Sequence, residues 1–237
     1  MITDNLIIDF HSHILPGMDD GSRDVETSLE MLRMSGEQGV GIQVLTSHYY
    51  PWKEEIDSFC ARRERSFSAL LQKKPSTPQL VCGAEVAYFR HMNKADLSKL
   101  CVGNGRTLLL EMPFESWTNS IVDDISFLSL DMEYRIVLAH VERFMHYSGN
   151  RQKLEDLSAL PIVYQINAEA FLHFRTRRIA VELIKSDYPI VLGSDAHNCT
   201  SRKPNISEGR SFIKKRFGSD RLDKMDFTAS SLLEGQI

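Results

Sequence analysis

The sequence predicts an α/β fold, a single domain built as a distorted barrel of about seven βα units. Seven short segments rich in Val, Ile, Leu and aromatic residues recur along the 237 residues, and stretches with helical periodicity separate most of them. No composition break divides the chain, and α/β barrels routinely exceed the ~150 residues of an average domain, so one domain spanning 1–237 is expected. Hydrophobic residues make up 42% and charged residues 25%, enough for a sizeable core and unlike disordered, collagenous or disulfide-scaffold chains.

Strands are expected near Leu6–His11, Ile42–His48, Leu80–Glu85, Thr107–Glu111, Arg135–His140, Ile162–Asn167 and Ile190–Asp195. Runs such as Leu108–Met112 and Ile136–His140 are almost continuously apolar, as parallel strands covered on both faces are. In the first intervening helix Ser22 can cap, Asp24 and Glu26 favour the positive N-terminal end, Val25, Leu29 and Leu32 form an apolar stripe, and Gly39 can stop it. Ala170–Ser186 and Ser120–Leu130 read as helices in the same way, and Met31 and Met34 read as packing residues. No internal repeat or low-complexity tract stands out.

Composition also narrows the setting. Cys60, Cys82, Cys101 and Cys199 share no CxxC spacing, which argues against a zinc ribbon, a redox pair or a secreted disulfide framework and favours a reducing compartment. A formal net charge of −4 offers no electrostatic footprint for nucleic acid. The start MITDNLIID lacks a basic region and no apolar run approaches ~18 residues, so neither a signal peptide nor a membrane span is expected, and the chain reads as cytoplasmic.

Six of the seven expected strands end at or just before a His, Glu or Asp: His11 and His13, His48, Glu85, Glu111, His140, and Asp195 with His197. The C-terminal mouth of a βα barrel is where residues from distant strands converge. His11 and His13, at i and i+2 of an extended segment, point to one side and can hold one ion; Asp195 and His197 repeat that spacing. Burying Glu85 and Glu111 behind apolar runs is costly unless cations compensate. Imidazole and carboxylate donors without thiolate suit Mn, Fe or Zn. Asp19 and Asp20 precede a glycine turn able to fold over the mouth; Asp20 is preferred as a ninth ligand, and nine donors imply two or three ions.

The segments DFHSHILPGMDDGS, TSHYYPW, GAE, LLLEMP, AHVERF and GSDAHN together resemble the polymerase-and-histidinol-phosphatase (PHP) superfamily, and more narrowly its capsule-locus, metal-dependent protein tyrosine phosphatases of bacteria. The resemblance runs from Asp9 to about Arg202. It implies a distorted (β/α)7 barrel, a trinuclear centre often described with manganese (Fe, Zn or Mg being alternatives), and hydrolysis of phosphotyrosine on a cognate tyrosine kinase that regulates exopolysaccharide assembly. It assigns His11, His13, Glu111 and Asp195 to one metal, with Glu111 bridging to a second also met by His140. Asp20, His48, Glu85 and His197 complete the set, and Arg143 and Arg202 match phosphate-binding arginines.

Other residues invite two readings. Cys199 and Arg202 are too close for the phosphate loop of a cysteine-dependent phosphatase, so a nucleophilic Cys199 is not expected. Arg202 is either a surface charge or a bidentate phosphate fork. Tyr49, Tyr50 and Trp52 either flank a substrate ring or pack the loop, as do Phe114 and Trp117; Tyr49 and Tyr50 are taken as substrate-binding. The basic stretch Arg202–Arg221 reads as a solvated face or as a steering surface for acidic peptides. His91, His146 and His173 read as surface or loop residues. A small-molecule phosphomonoesterase such as a histidinol-phosphate phosphatase, and a non-catalytic phosphopeptide-binding module, are the competing functions.

Overall fold

A computed structural model describes residues 6–74 and 76–233; residues 1–5, 75 and 234–237 of the expected domain, and with them most of the N-terminal segment read for a leader, lie outside the described residues. Among the described residues nine strands, all paired in parallel, form two sheets. The first has the order β1 (Ile7–Asp9), β2 (Val40–Leu45), β4 (Gln79–Cys82). The second runs β3 (His48–Tyr49), β5 (Glu85–Ala87), β6 (Thr107–Glu111), β7 (Arg135–Leu138), β8 (Val163–Asn167), β9 (Ile190–Gly193). Two expected strands are thus each observed as a pair of pieces, β2 with β3 and β4 with β5. Backbone bonds span the breaks, from Thr46 N to Ser12 O (2.8 Å), Gly83 N to Leu45 O (2.9 Å) and Glu85 N to Thr46 O (3.2 Å). At the other seam Phe10 N donates to Leu192 O (3.0 Å), Asp195 N to His11 O (2.8 Å) and His13 N to Ala196 O (2.9 Å).

The strands are buried on both faces, as their apolar runs require. Leu108, Leu110, Ile136, Leu138, Ile190 and Leu192 belong to the large cluster that includes the helices' apolar stripes. Alternate residues Leu109, Val137 and Val191 meet Ile8, Phe10, Ile42 and Val44 in a second, smaller cluster. The period-two switch between the clusters carries the polar residues that continue the strands to one end.

Helix α1 (Val25–Glu37) corrects one expectation: Asp24, not Ser22, is its cap, accepting from Thr27 N at 2.8 Å. Ser22 is buried instead, and its hydroxyl donates to Asp24 O. Gly39, at φ +82, follows the last turn as expected. The single helix expected over Ala170–Ser186 is a short 3-10 turn (Ala168–Phe171) and then a separate α-helix (Phe174–Lys185). His173 is extended between them, and Arg177 takes up the freed carbonyls of Phe171 and Leu172 at 2.7 and 2.8 Å. Asn119–Leu130 is helical, one residue longer than expected. Met31 is fully buried and packs in the large cluster.

The β1–β9 seam is tightest at Gly193, where an added Cβ would stand 2.5 Å from His11 Cβ and 2.9 Å from Gln165 Nε2. Gly193→Ala is therefore expected to cost about 1–3 kcal/mol, the usual scale for forcing a methyl into a packed core. Urea unfolding measures this, and an unchanged midpoint would show that the seam yields freely.

Candidate metal centre

Eight of the nine expected ligands come from strand ends, and the ninth from the loop that folds back over them. Ser22 N donates to His13 O at 2.9 Å, and Gly21 lies so close that a Cβ there would stand 2.2 Å from the same oxygen. This loop separates the roles of its two aspartates. Asp19 is turned inward, with its side chain 6% exposed, and accepts from His13 Nδ1 (2.7 Å), His48 N (2.8 Å) and Gly21 N (3.0 Å). Asp20 is 66% exposed and extends Oδ1 towards His48 Nε2 (3.7 Å) and His197 Nε2 (3.6 Å). Of the two, Asp20 is the one whose carboxylate falls within reach of the His13, His48 and His197 donor atoms, whereas Asp19 is engaged by His13 Nδ1.

Glu85, fully buried, stands at the middle. Its Oε2 lies 3.2 Å from His11 Nε2, 3.2 Å from His13 Nε2 and 3.0 Å from His48 Nδ1, while Oε1 lies 2.8 Å from His140 Nε2. Glu111, the last residue of β6, is at the rim, 3.5 Å from His140. Four sets of donor atoms fall within 4.8 Å of one another: His13, Asp20, His48 and His197; His11, Glu85 and His140; His11, His13 and Asp195; His48, Glu85 and Glu111. Glu111 does not join His11, His13 and Asp195, so the geometry transfers the central, shared position from Glu111 to Glu85. The strand depths explain the difference: β5 begins with Glu85, whereas β6 ends with Glu111.

The backbone is bent to make these sets. His140 (φ +30) and Asp195 (φ +53) both adopt left-handed conformations, which cost a non-glycine residue of order 1–2 kcal/mol. After His140 a single 3-10 turn, Val141–Arg143, returns Arg143 to the mouth. After His197, Asn198 Oδ1 accepts from Thr200 N (2.9 Å) and Arg202 N (3.0 Å), and His197 N donates to Arg202 O (2.8 Å). Both arginines therefore arrive at one atom: Arg143 Nη2 and Arg202 Nη2 donate to Asp195 Oδ2 at 2.7 and 2.9 Å.

Charges in the cluster balance one another. Burial pushes the Glu85 and Asp195 carboxyls up, but the charges of His11 with His48 and of His11 with Arg143, respectively, outweigh it and hold both well below the usual range. Burial pulls His13 down, yet Asp19 raises it well above its ordinary value. Glu111 is raised to about 7 by burial and the neighbouring Glu85 charge, and His197 is lowered to about 4 by burial and by His13. Meanwhile Glu85 Oε2, His197 Nε2, His140 Nδ1 and His48 Nδ1 are buried without a hydrogen-bond partner among the described residues. Buried, unpartnered nitrogen and oxygen atoms within donor groups that lack thiolate fit divalent cations.

A cleft of about 390 Å³ opens above the cluster, lined by Tyr50, Trp52, Phe114, His140, Arg143 and Arg202. Tyr50 stacks on His48 at 5.0 Å, but Tyr49 is buried and packs edge-on against Phe59 at 5.4 Å. The expectation for Tyr49 is thus corrected: neighbours on a strand point to opposite faces, and Tyr50 shares the face of His48. Phe114, half exposed, faces His140 at 6.2 Å, whereas Trp117 is buried against Phe144. His91, His146 and His173 are exposed and outside the cluster, as read. The basic stretch is spread over several places: Arg202 reaches Asp195 at the cleft, Arg210 pairs with Asp226, Lys214, Lys215 and Arg216 suit the negative end of the helix Ile206–Phe217, and Arg221 lies in the next helix, Ser219–Leu232.

Two residues escaped the sequence reading. Gln165 and Asn167 on β8, the one of the seven expected strands without an acid or imidazole at its end, are buried against His11 and Asp195. Their signal was two polar residues at i and i+2 in an otherwise apolar strand.

A family model described as "Capsular polysaccharide synthesis, CpsB/CapC" matches residues 7–233. The chain belongs to the CpsB/CapC family. Among curated relatives, the tyrosine-protein phosphatase CpsB of Streptococcus agalactiae is 26% identical over 92% of this chain and 94% of its own. The tyrosine-protein phosphatase YwqE of Bacillus subtilis is 25% identical over 97% of this chain and 92% of its own. A solved structure from work on YwqE and on CpsB of Streptococcus pneumoniae, described there as unique metal-dependent tyrosine phosphatases, superposes with a TM-score of 0.82 at 23% identity. It covers 98% of this chain and 96% of its own, and it shows the shared CpsB/CapC fold.

Cys199 lies apart from this chemistry: its sulfur donates to Thr27 O at 3.8 Å, and burial raises its thiol, as it does those of Cys60, Cys82 and Cys101. All four should therefore react with iodoacetamide at pH 8 more slowly in the native chain than in urea. Rapid native labelling of Cys199, followed by mass spectrometry, would return a thiolate to consideration.

Proposed function

We propose that this chain is a metal-dependent tyrosine-protein phosphatase. The observation that carries the reading is the shared-donor geometry, four overlapping ligand sets around Glu85 with two arginines converging on Asp195 at the edge of an aromatic cleft. His11, His13, Asp20, His48, Glu85, Glu111, His140, Asp195 and His197 are the proposed ligands, with Glu85 shared between ions. The reading includes two or three ions, manganese before iron, zinc or magnesium. Nitrogen and oxygen donors without thiolate support that choice.

The finer fold reading, a distorted (β/α)7 barrel forming one domain, is part of the same proposal; the backbone bonds at the β1–β9 seam and across the two strand breaks support it. So is the partner, the phosphotyrosine tail of a bacterial tyrosine kinase in capsule or exopolysaccharide regulation, which the names of the family and its curated relatives support. The proposed setting is the cytoplasm, in keeping with four unpaired cysteines. Among the described residues no helix is long and apolar enough to cross a membrane.

Bound divalent ions supply Lewis acidity and a nucleophilic water near neutral pH. The protein supplies the rest. Asp195 Oδ2 gathers the two guanidinium groups, each about a third exposed, so that their remaining N–H groups face the cleft in the forked geometry that suits phosphoryl oxygens. Tyr50 and Phe114 offer ring faces on which a phenyl group can rest. A phenolate, with pKa ~10, leaves far more readily than an alkoxide, so strong acid assistance is unnecessary.

The test compares a phosphotyrosine peptide with histidinol phosphate under defined metal content. The chelated chain is expected to be inactive on the peptide and to recover with Mn. Glu85→Gln should lose bound metal together with rate, whereas Arg143→Ala and Arg202→Ala should keep metal and lose ~10²-fold in kcat/KM. Full activity without metal contradicts the mechanism. Faster turnover of histidinol phosphate replaces the substrate.

A further inference from the structure

Strand β8, which contributes no proposed ligand, reaches the cluster in another way. Gln165 Oε1 lies 2.9 Å from His11 Nδ1 and accepts from His140 N at 2.8 Å. Gln165 Nε2 donates to Asn167 Oδ1 at 2.8 Å, and Asn167 Nδ2 donates to Asp195 Oδ2 at 2.9 Å. Both amides are buried, at 0% and 3% exposure.

Polarity along this chain of bonds is determined from its two ends. The His140 backbone N–H can only donate, so the amide atom of Gln165 that meets it is the oxygen. A carboxylate oxygen only accepts, so the Asn167 atom that meets Asp195 is the nitrogen. The bond between the amides then runs from Gln165 to Asn167, and neither can flip without opposing two like atoms. Because Gln165 Oε1 accepts, His11 must carry a proton on Nδ1, which leaves the Nε2 lone pair facing Glu85 Oε2 and Asp195 Oδ1. At the far end Asp195 Oδ2 receives Asn167 along with both arginines, so Oδ1 is the oxygen left towards His11 and His13, at 3.7 and 3.4 Å.

We infer that Gln165 and Asn167 form a two-amide relay of positioning residues, which sets the donor atom of His11 and the donor oxygen of Asp195 together. The inference rests on the metal-centre reading above. It assigns β8 a function: the relay couples two ligands of one donor set that arrive on different strands, through bonds with a single permitted direction. Partners of this kind typically govern metal affinity by 10–100-fold.

The test titrates zinc ion into the chelated full-length chain against a chromophoric competitor. Circular dichroism and melting are recorded on the same metal-free samples. Gln165→Leu and Asn167→Ala should each weaken zinc binding at least tenfold with the metal-free fold retained. The double variant should be no weaker than the poorer single, because a relay broken once is already broken. In the zinc-loaded parent the His11 Nδ1–H resonance should be slowly exchanging, and Asn167→Ala, two bonds away, should shift it. Parental affinity in both folded singles overturns the relay, and so do fully additive losses or an unmoved His11 resonance. If Gln165→Leu does not fold, Asn167→Ala decides alone. A parent chain that binds no zinc overturns the metal-centre reading itself.

Discussion

Glu85 carries a negative charge at zero exposure, and the site is organised around compensating it. An isolated ionised carboxylate in so dry a place would take up a proton instead. Here four imidazoles converge on its two oxygens at 2.8–3.2 Å, while Asp195 and Glu111 add further negative charge nearby. Against the pull of burial, the neighbouring acids raise His11 and His13 above their ordinary values, so protons and cations compete for the same imidazoles. The same atoms serve both states, which explains why buried nitrogens and an oxygen remain unpartnered among the described residues.

Holding that cluster draws on the whole sheet. Parallel strands buried on both faces bring their C-terminal ends together, and two left-handed residues, His140 and Asp195, turn the chain so that each ligand is followed by an arginine-bearing turn. Behind the ligands stand groups that accept: Asp19 for His13, the Asp195 carbonyl for His197 at 2.8 Å, and Gln165 for His11. Each leaves the opposite ring nitrogen for the centre. Arg143 and Arg202 are in turn drawn to Oδ2 of Asp195, while Oδ1 faces His11 and His13.

Much of this was legible in the sequence because apolar runs that stop at His, Glu or Asp mark both the strand and its functional end. Thr107–Glu111 is observed with the expected bounds; two expected strands are split into pieces, and the other four are shorter by one to three residues. Depth was not legible. Whether Glu85 or Glu111 stands at the centre depends on where each strand lies relative to its neighbours, which no local pattern encodes. Asp19 and Asp20 are adjacent in one turn, and only the loop's close approach to His13 distinguishes an orienting acid from a donor. Tyr49 and Tyr50, by contrast, were separable in principle, since the residue two beyond His48 shares its face. Gln165 and Asn167 were overlooked because amides are weak markers of metal sites, although polar side chains in a buried strand demand partners.

The account's central claim is that Glu85 lies between ions held by His11, His48 and His140. Anomalous diffraction at the manganese edge, from crystals of the manganese-loaded chain, tests it most directly. The account predicts two or three peaks within the overlapping donor sets, with Glu85 contacting two of them. A single peak away from Glu85, or none in a fully loaded crystal, would contradict it.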